Sequence, residues 1–105
     1  ADAKTAFAGF VRQYPRSGYV PSARFWLGNA QYAAREYKEA IGNFKMLLSE
    51  APGHARAPEA ALSIANCQIE LKETRTARKT LEDLLRDYPQ SEAAVAAKER
   101  LSRLK

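Results

Sequence analysis

The sequence of 105 residues predicts an all-α solenoid of about six helices that repeats every 37 residues. Prolines recur with this spacing at Pro15, Pro52 and Pro89, and QYPRS around the first closely matches DYPQS around the last. Apolar and small residues recur in the same register. Within each period, apolar residues follow steps of three and four, which is typical of amphipathic helices. A repeat of this length predicts stacked helical hairpins.

The repeat register aligns small and apolar residues across the whole chain. Small residues recur because helices approach one another closely at these positions, and large apolar residues recur where they fill the core. The aligned sets are Ala3, Ala40 and Ala77; Phe7, Phe44 and Leu81; Phe10, Leu47 and Leu84; Val11, Leu48 and Leu85; Ala23, Ala60 and Ala97; and Leu27, Ile64 and Leu101.

Two kinds of helix alternate along the chain, a strongly amphipathic B helix and an alanine-rich A helix. The order is B, A, B, A, B, A, with predicted helices over 2–14, 20–35, 37–51, 56–72, 74–88 and 92–104. We expect one domain over 1–105. It comprises a partial first repeat (1–17), two full repeats (18–54 and 55–91) and a C-terminal capping helix (92–105).

The two ends of the solenoid are expected to differ. By the repeat register, the A helix that precedes the first B helix would lie upstream of Ala1. We therefore expect the apolar face with Phe7 and Phe10 to lack a partner, through a removed or disordered helix, or to contact another chain. The last helix carries Lys98, Arg100 and other charged residues, so we expect it to face solvent as a cap.

The repeated Tyr-Pro phrase marks the ends of B helices. Proline lacks an amide proton and disfavours helical geometry in the preceding residue. Tyr14 and Tyr88 are expected to pack each helix end against its neighbour. Ser17 and Ser91 are expected to act as cap or turn residues before the next helix. The phrase is therefore predicted to be structural and not catalytic.

Composition restricts the classes of function. The formal charge is +5, but basic and acidic residues alternate, which favours solvated helix faces over a nucleic-acid site. With one cysteine (Cys67), expected to be buried and inert, and one histidine (His54), expected at the surface, the sequence lacks a disulfide, a Ser-His arrangement and metal-ligand spacing. It also lacks a Gly-rich phosphate loop and an apolar run of the roughly 20 residues that a membrane span needs. We expect no enzyme, cofactor, nucleic-acid partner or membrane insertion.

The pattern resembles the tetratricopeptide repeat. Leu27-Gly28, Tyr37, Ala40, Phe44 and Pro52 fall at that motif's spacings. The sequence departs from the motif where Arg24 and Ala61 replace a large aromatic, where Gln31 and Gln68 replace a tyrosine, and in its longer period. The resemblance implies a right-handed solenoid whose A helices line a concave groove that binds protein partners.

A narrower resemblance is to the C-terminal domain of the CpoB (YbgF) family of Tol-Pal accessory proteins. It rests on the YP-x-S turns, on WLGNAQY and on the 37-residue period. The resemblance implies a non-enzymatic periplasmic protein that binds TolA and a peptidoglycan synthase, and that links outer-membrane constriction to septal wall synthesis in cell division. It also implies a signal peptide in the precursor, an upstream coiled coil and a possible homo-oligomer. Scaffolds of other envelope assemblies, such as outer-membrane protein assembly, use similar turns and remain an alternative.

The tetratricopeptide register implies which residues face the groove. Asn29 and Asn66 are the clearest candidates, since asparagine is a poor helix former and its amide can pair with a peptide backbone. The alternative is a solvated or interhelical amide. Phe25, Leu62, Tyr32 and Ile69 are expected to form apolar pockets beside them or to belong to the core, and Trp26 is expected mainly in the core. The remaining groove positions are Ser22, Ala33, Glu59, Glu70, Ala96, Glu99 and Arg103.

Overall fold

The computed structural model describes residues 3–104, and within them six helices follow one another. They are α1 (Ala3–Gln13), α2 (Val20–Ala33), α3 (Tyr37–Glu50), α4 (Ala57–Glu70), α5 (Thr74–Asp87) and α6 (Glu92–Arg103). The prediction of an all-α helical-hairpin solenoid is confirmed. Each helix begins and ends within two residues of its predicted bounds, because the 37-residue register places the Pro and turn positions that end the helices.

Each helix packs against its neighbours in sequence, and α4 also packs against α6. This pattern gives an elongated molecule of 42 × 27 × 17 Å. The A helices are α2, α4 and α6, and the B helices are α1, α3 and α5. Within residues 3–104, no helix combines the length and apolar character needed to cross a membrane.

The core consists of two clusters, one for each full repeat. The first joins α2, α3 and α4 through Phe25, Phe44, Leu47 and Ile64. The second joins α4, α5 and α6 through small alanines packed around Leu81 and Leu84. Because α4 contributes to both clusters, the two repeats share one continuous core.

Gly28 permits a close contact between α2 and α3. A Cβ atom added at Gly28 would lie 2.7 Å from the ring of Phe44. The second repeat places Ala65 and Leu81 at these two positions, and both are fully buried. Leu81 is smaller than phenylalanine and therefore leaves room for the methyl group of Ala65, whereas Phe44 leaves no room for a methyl group at position 28.

The second residue after the A helix of each full repeat has the left-handed conformation. Arg35 has φ 64° and Lys72 has φ 66°. The next amide in each case, from Glu36 or Glu73, donates to the carbonyl of Gln31 or Gln68 at 2.8 Å. These bonds satisfy carbonyl groups at the helix end, although a residue with a Cβ atom is strained there.

The two Tyr-Pro phrases pack differently. Tyr88 contacts both core clusters and its hydroxyl donates to the Pro52 carbonyl at 2.8 Å, so the prediction for this tyrosine is confirmed. Tyr14 is half exposed and its ring contacts that of Phe10 in α1, so it is less covered than Tyr88. Ser91 caps α6 by accepting from the Ala94 amide. Ser17 accepts from the Tyr19 amide in a turn.

The glutamines at the motif's tyrosine position link each A helix to the following B helix. Asn43 Nδ2 donates to Gln31 Oε1 at 2.8 Å, and Thr80 Oγ1 donates to Gln68 Oε1 at 2.7 Å. Asn43 and Thr80 occupy the same position of the repeat. The glutamine that departs from the family pattern therefore makes the same kind of polar contact within each of the two repeats.

Candidate protein-binding surface

Residues at steps of three and four line one side of each A helix, and none of them is buried. We call this surface the A-helix face. It consists of Tyr19, Ser22, Trp26, Asn29 and Ala33 beside and along α2; Arg56, Glu59, Ser63, Asn66 and Glu70 beside and along α4; and Ala96, Arg100 and Arg103 on α6.

The α2 side of the A-helix face is aromatic. Tyr19 is 64% exposed and Trp26 is 42% exposed. The guanidinium of Arg56 lies 5.3 Å from the Trp26 ring centroid and pairs with Glu59 at 3.0 Å. Cation–π contact and the ion pair together hold Arg56 beside the indole. An exposed indole and an arginine thus lie side by side on this surface.

The positions of Phe25 and Trp26 correct the predicted register. Phe25 was placed among the groove residues with the core as the alternative, and the core is where it lies: it is 3% exposed and packs edge-on against Phe44 at 6.0 Å. Trp26 was expected in the core, but it shares its side of α2 with Ser22 and Asn29. Phe44 packs against the side of α2 that holds Phe25, so Trp26, the next residue, faces outward. Trp26 lies three residues before Asn29, and this spacing in the sequence already placed the two residues on the same side of α2.

The two predicted asparagines differ in their surroundings. Asn66 accepts a hydrogen bond at Oδ1 from Nε of Arg100 at 2.7 Å, which joins α4 to α6. The side-chain amide of Asn29 makes no hydrogen bond to any residue of 3–104. Arg100 was not among the predicted groove residues, although it lies one helical turn from the predicted Ala96 and Arg103. The amide of Asn66 is therefore held by the protein while that of Asn29 is open.

Tyr32 connects α2 electrostatically to the other A helices. Its ring is half-buried and lies edge-on to Tyr37 at 5.4 Å. Burial raises the pKa of the Tyr32 phenol, the charge of Glu70 raises it further, and Arg100 lowers it. The charges of Glu70 on α4 and Arg100 on α6 thus act on the Tyr32 phenol in opposite directions.

The remaining predicted residues divide between the surface and partly covered positions. Ser22 is hydrogen-bonded through Oγ to Nε2 of His54 at 3.2 Å, so the histidine is half-buried and not simply exposed. Leu62 packs on the second cluster and, with Glu59 and Ala96, lines a cleft of about 440 Å³ between α4 and α6. Glu99 pairs with Arg103 at 2.6 Å. Ile69 is half-buried, and Glu70 and Ala33 are exposed.

Cys67 lies next to Asn66 in α4 but belongs to the first core cluster. It is fully buried, as expected, and desolvation raises the pKa of its thiol to about 11. A thiol that stays protonated at neutral pH is a poor nucleophile. Cys67 therefore contributes to packing and not to the surface.

Comparison with known proteins agrees with the fold. The tetratricopeptide repeat family model matches residues 31–101, which is more than half of the chain. The cell division coordinator CpoB of Escherichia coli (strain K12) is 48% identical over 31 residues. That match takes in 30% of this chain and 12% of the E. coli protein.

Proposed function

Because the chain belongs to the tetratricopeptide repeat family, whose domains bind protein partners, we propose that its A-helix face holds a segment of a partner. We further propose that the protein acts in the periplasm as part of the Tol-Pal system. There it would bind TolA and peptidoglycan synthase machinery and coordinate outer-membrane constriction with septal wall synthesis in cell division. The similarity to CpoB supports this finer proposal.

The observation that carries the proposal is the exposed indole of Trp26 with Arg56 beside it. Trp and Arg are the residues most enriched among those that dominate binding energy at interfaces. Leaving a large aromatic surface in water costs free energy that a partner regains by covering it. Trp26 is the only tryptophan of the sequence, so its fluorescence reports directly on this surface.

The amides of Asn29 and Asn66 supply directional contacts beside Trp26. Asn29 offers both a donor and an acceptor to a peptide backbone. Asn66 offers its Nδ2 donor, since Arg100 already donates to its Oδ1. A partner segment that crosses α2 and α4 would thus be oriented by Asn29 on α2 and by Asn66 on α4.

The charges of the A-helix face favour a protein over a nucleic acid. Arg56 pairs with Glu59, and Arg103 pairs with Glu99. A nucleic-acid surface needs a continuous basic stripe that neutralises successive phosphates. Carboxylates interrupt the basic side chains here, so the surface suits a partner with mixed polar and apolar groups.

The test is a calorimetric titration of this domain with the soluble periplasmic part of TolA. We expect Trp26→Ala to weaken binding at least tenfold, and Asn29→Ala with Asn66→Ala to weaken it in addition. Met46→Ala is the matched control because Met46 is similarly exposed but lies on α3. Circular dichroism checks that each variant is folded.

The outcomes separate the two levels of the proposal. Loss of binding in Trp26→Ala but not in Met46→Ala supports both the surface and the partner. Equal loss in Met46→Ala, or none in either variant, contradicts the A-helix face as the site. Absence of binding by the unmodified domain contradicts TolA as the partner.

A further inference from the structure

The space between the A helix and the following B helix is filled differently in the two full repeats. In the first, Arg24 of α2 donates from Nε to Glu50 Oε1 at 3.1 Å and from Nη1 to Asn43 Oδ1 at 3.4 Å. The Arg24 side chain is 14% exposed, so the ion pair is largely shielded on the arginine side. The guanidinium fills the space between its A helix and the following B helix.

The second repeat has no arginine at this position. Ala61, Thr80 and Asp87 replace Arg24, Asn43 and Glu50 in the repeat register. All three replacements line a cleft of about 320 Å³ between α3, α4 and α5, which we call the α3–α5 cleft. The position that a guanidinium fills in one repeat is therefore open in the next.

The α3–α5 cleft has the chemical groups that hold Arg24 in the first repeat. Asp87 replaces the Glu50 carboxylate, and Asp83 adds a second one. Thr80 Oγ is fixed by its hydrogen bond to Gln68, as Asn43 is fixed by Gln31. Leu48, Leu84, Tyr88 and other apolar residues form the remaining walls, and such walls suit the aliphatic stem of an arginine.

Exposed cations already contact the carboxylates of the cleft, and Arg86 contacts both oxygens of Asp87, at 3.0 and 3.4 Å, so an entering arginine has to compete with Arg86. Arg86 pairs with Asp87 at 3.0 Å and with Asp83 at 3.1 Å, and Lys79 pairs with Asp83 at 3.4 Å. Both cations are mostly exposed, and such surface pairs contribute little free energy. Each carboxylate has two oxygens and accepts several donors. Lys45 on the opposite wall is a third cation, and like Arg86 and Lys79 it opposes entry of another.

We propose that the α3–α5 cleft is a docking site for an arginine side chain of a protein partner. A guanidinium entering it would meet Asp87 and Thr80 as Arg24 meets Glu50 and Asn43. Arginine fits better than lysine because its planar head is weakly hydrated and donates in two directions. This site is separate from the A-helix face and goes beyond the function proposed for that face.

The test uses two blocked tripeptides, acetyl-Ala-Arg-Ala-amide and the same peptide with citrulline, whose side chain keeps the shape but has no charge. Each is titrated into the ¹⁵N-labelled domain, and amide shifts of Thr80, Asp83 and Asp87 are followed. We expect saturable shifts with the arginine peptide. The citrulline peptide should bind with at least tenfold lower affinity. Lys45→Gln should strengthen binding, since it removes an opposing cation.

Matched variants connect the cleft to its counterpart. Ala61→Arg fills the cleft from within and should abolish peptide binding. Asp87→Asn removes the main carboxylate and should weaken peptide binding at least tenfold. This variant provides the test if Ala61→Arg does not fold. Arg24→Ala opens the equivalent position of the first repeat and should create a second set of shifts near Asn43 and Glu50.

Three results would overturn the proposal. One is the absence of saturable shifts with the arginine peptide, and another is equal binding of the citrulline peptide. The third is a wild-type dimer that Asp87→Asn dissociates in sedimentation experiments, which would make a second copy of this chain the occupant. Unchanged sedimentation together with charge-selective shifts supports a separate protein partner.

Discussion

The two full repeats share several small, buried positions and differ at other positions of the same helices. Each repeat buries an alanine pair, Ala23 with Ala40 in the first and Ala60 with Ala77 in the second, at 1% exposure or less. At two other positions the repeats differ: the exposed Trp26 becomes Ser63, and the largely shielded Arg24 becomes the buried Ala61. Close helix packing restricts the alanine pairs, whereas these two positions differ in size and charge. The two surfaces proposed for partner binding lie at these positions, where one repeat has a side chain that the other lacks.

The largest expected effect contrasts a covered B-helix position with a partly covered one. Phe44→Ala should lower the free energy of unfolding by about 3–5 kcal/mol, because the residue is fully buried. Phe7 occupies the same repeat position on α1 but is only half-buried. Phe7→Ala should therefore cost less than half as much in urea denaturation. Equal costs would show that α1 is packed as tightly as α3.

The contact between Gly28 and Phe44 can be converted into that of the second repeat. Gly28→Ala should destabilise by about 1–3 kcal/mol, because its methyl group would overlap the phenyl ring. Adding Phe44→Leu copies the Ala65 and Leu81 pair and should recover at least half of the loss.

Gly42→Ala is the control for helix propensity. Gly42 lies in α3 with no atom within 4 Å of an added Cβ, so alanine should stabilise by about 0.5–1 kcal/mol. Thermal unfolding measures all three variants. A destabilising Gly28→Ala that Phe44→Leu worsens would contradict the equivalence of the two pairs.

The polar link between helices should contribute more in the second repeat. Thr80→Val removes the donor to Gln68, which is 3% exposed, and should cost about 1–2 kcal/mol by leaving a buried acceptor unpaired. Asn43→Ala removes the donor to Gln31, which is half-buried and open to water, and also the long 3.4 Å contact from Arg24. We expect a smaller loss there in urea denaturation. The reverse order would mean that burial of the glutamine does not determine the cost.

The smallest effect should be the same in both repeats. Arg35→Gly and Lys72→Gly each place glycine in a left-handed position, so each should stabilise by about 0.5–1 kcal/mol. Lys98→Gly, inside α6, should destabilise by a similar amount. Melting temperatures give the comparison. Destabilisation by glycine at both turns would contradict the strain inferred there.

The sequence predicted the helices well and the binding surface less well, for a physical reason. Helix bounds follow from local signals such as Pro15 and the apolar period, which act within a few residues. The orientation of α2 depends on which of two adjacent aromatic residues, Phe25 or Trp26, contacts Phe44, and either one fits an apolar period. The hydrogen bond between Asn66 and Arg100 joins residues far apart in sequence, so no local pattern revealed it.

The most direct test of the central claim is a ¹⁵N NMR map of the domain bound to the soluble periplasmic part of TolA. The single indole N–H signal of Trp26 and the side-chain amides of Asn29 and Asn66 report on the A-helix face, and the backbone amide of Met46 reports on α3. We predict that the first three shift while Met46 does not. Shifts confined to α3 and α5 would contradict the claim and assign partner binding to the B helices.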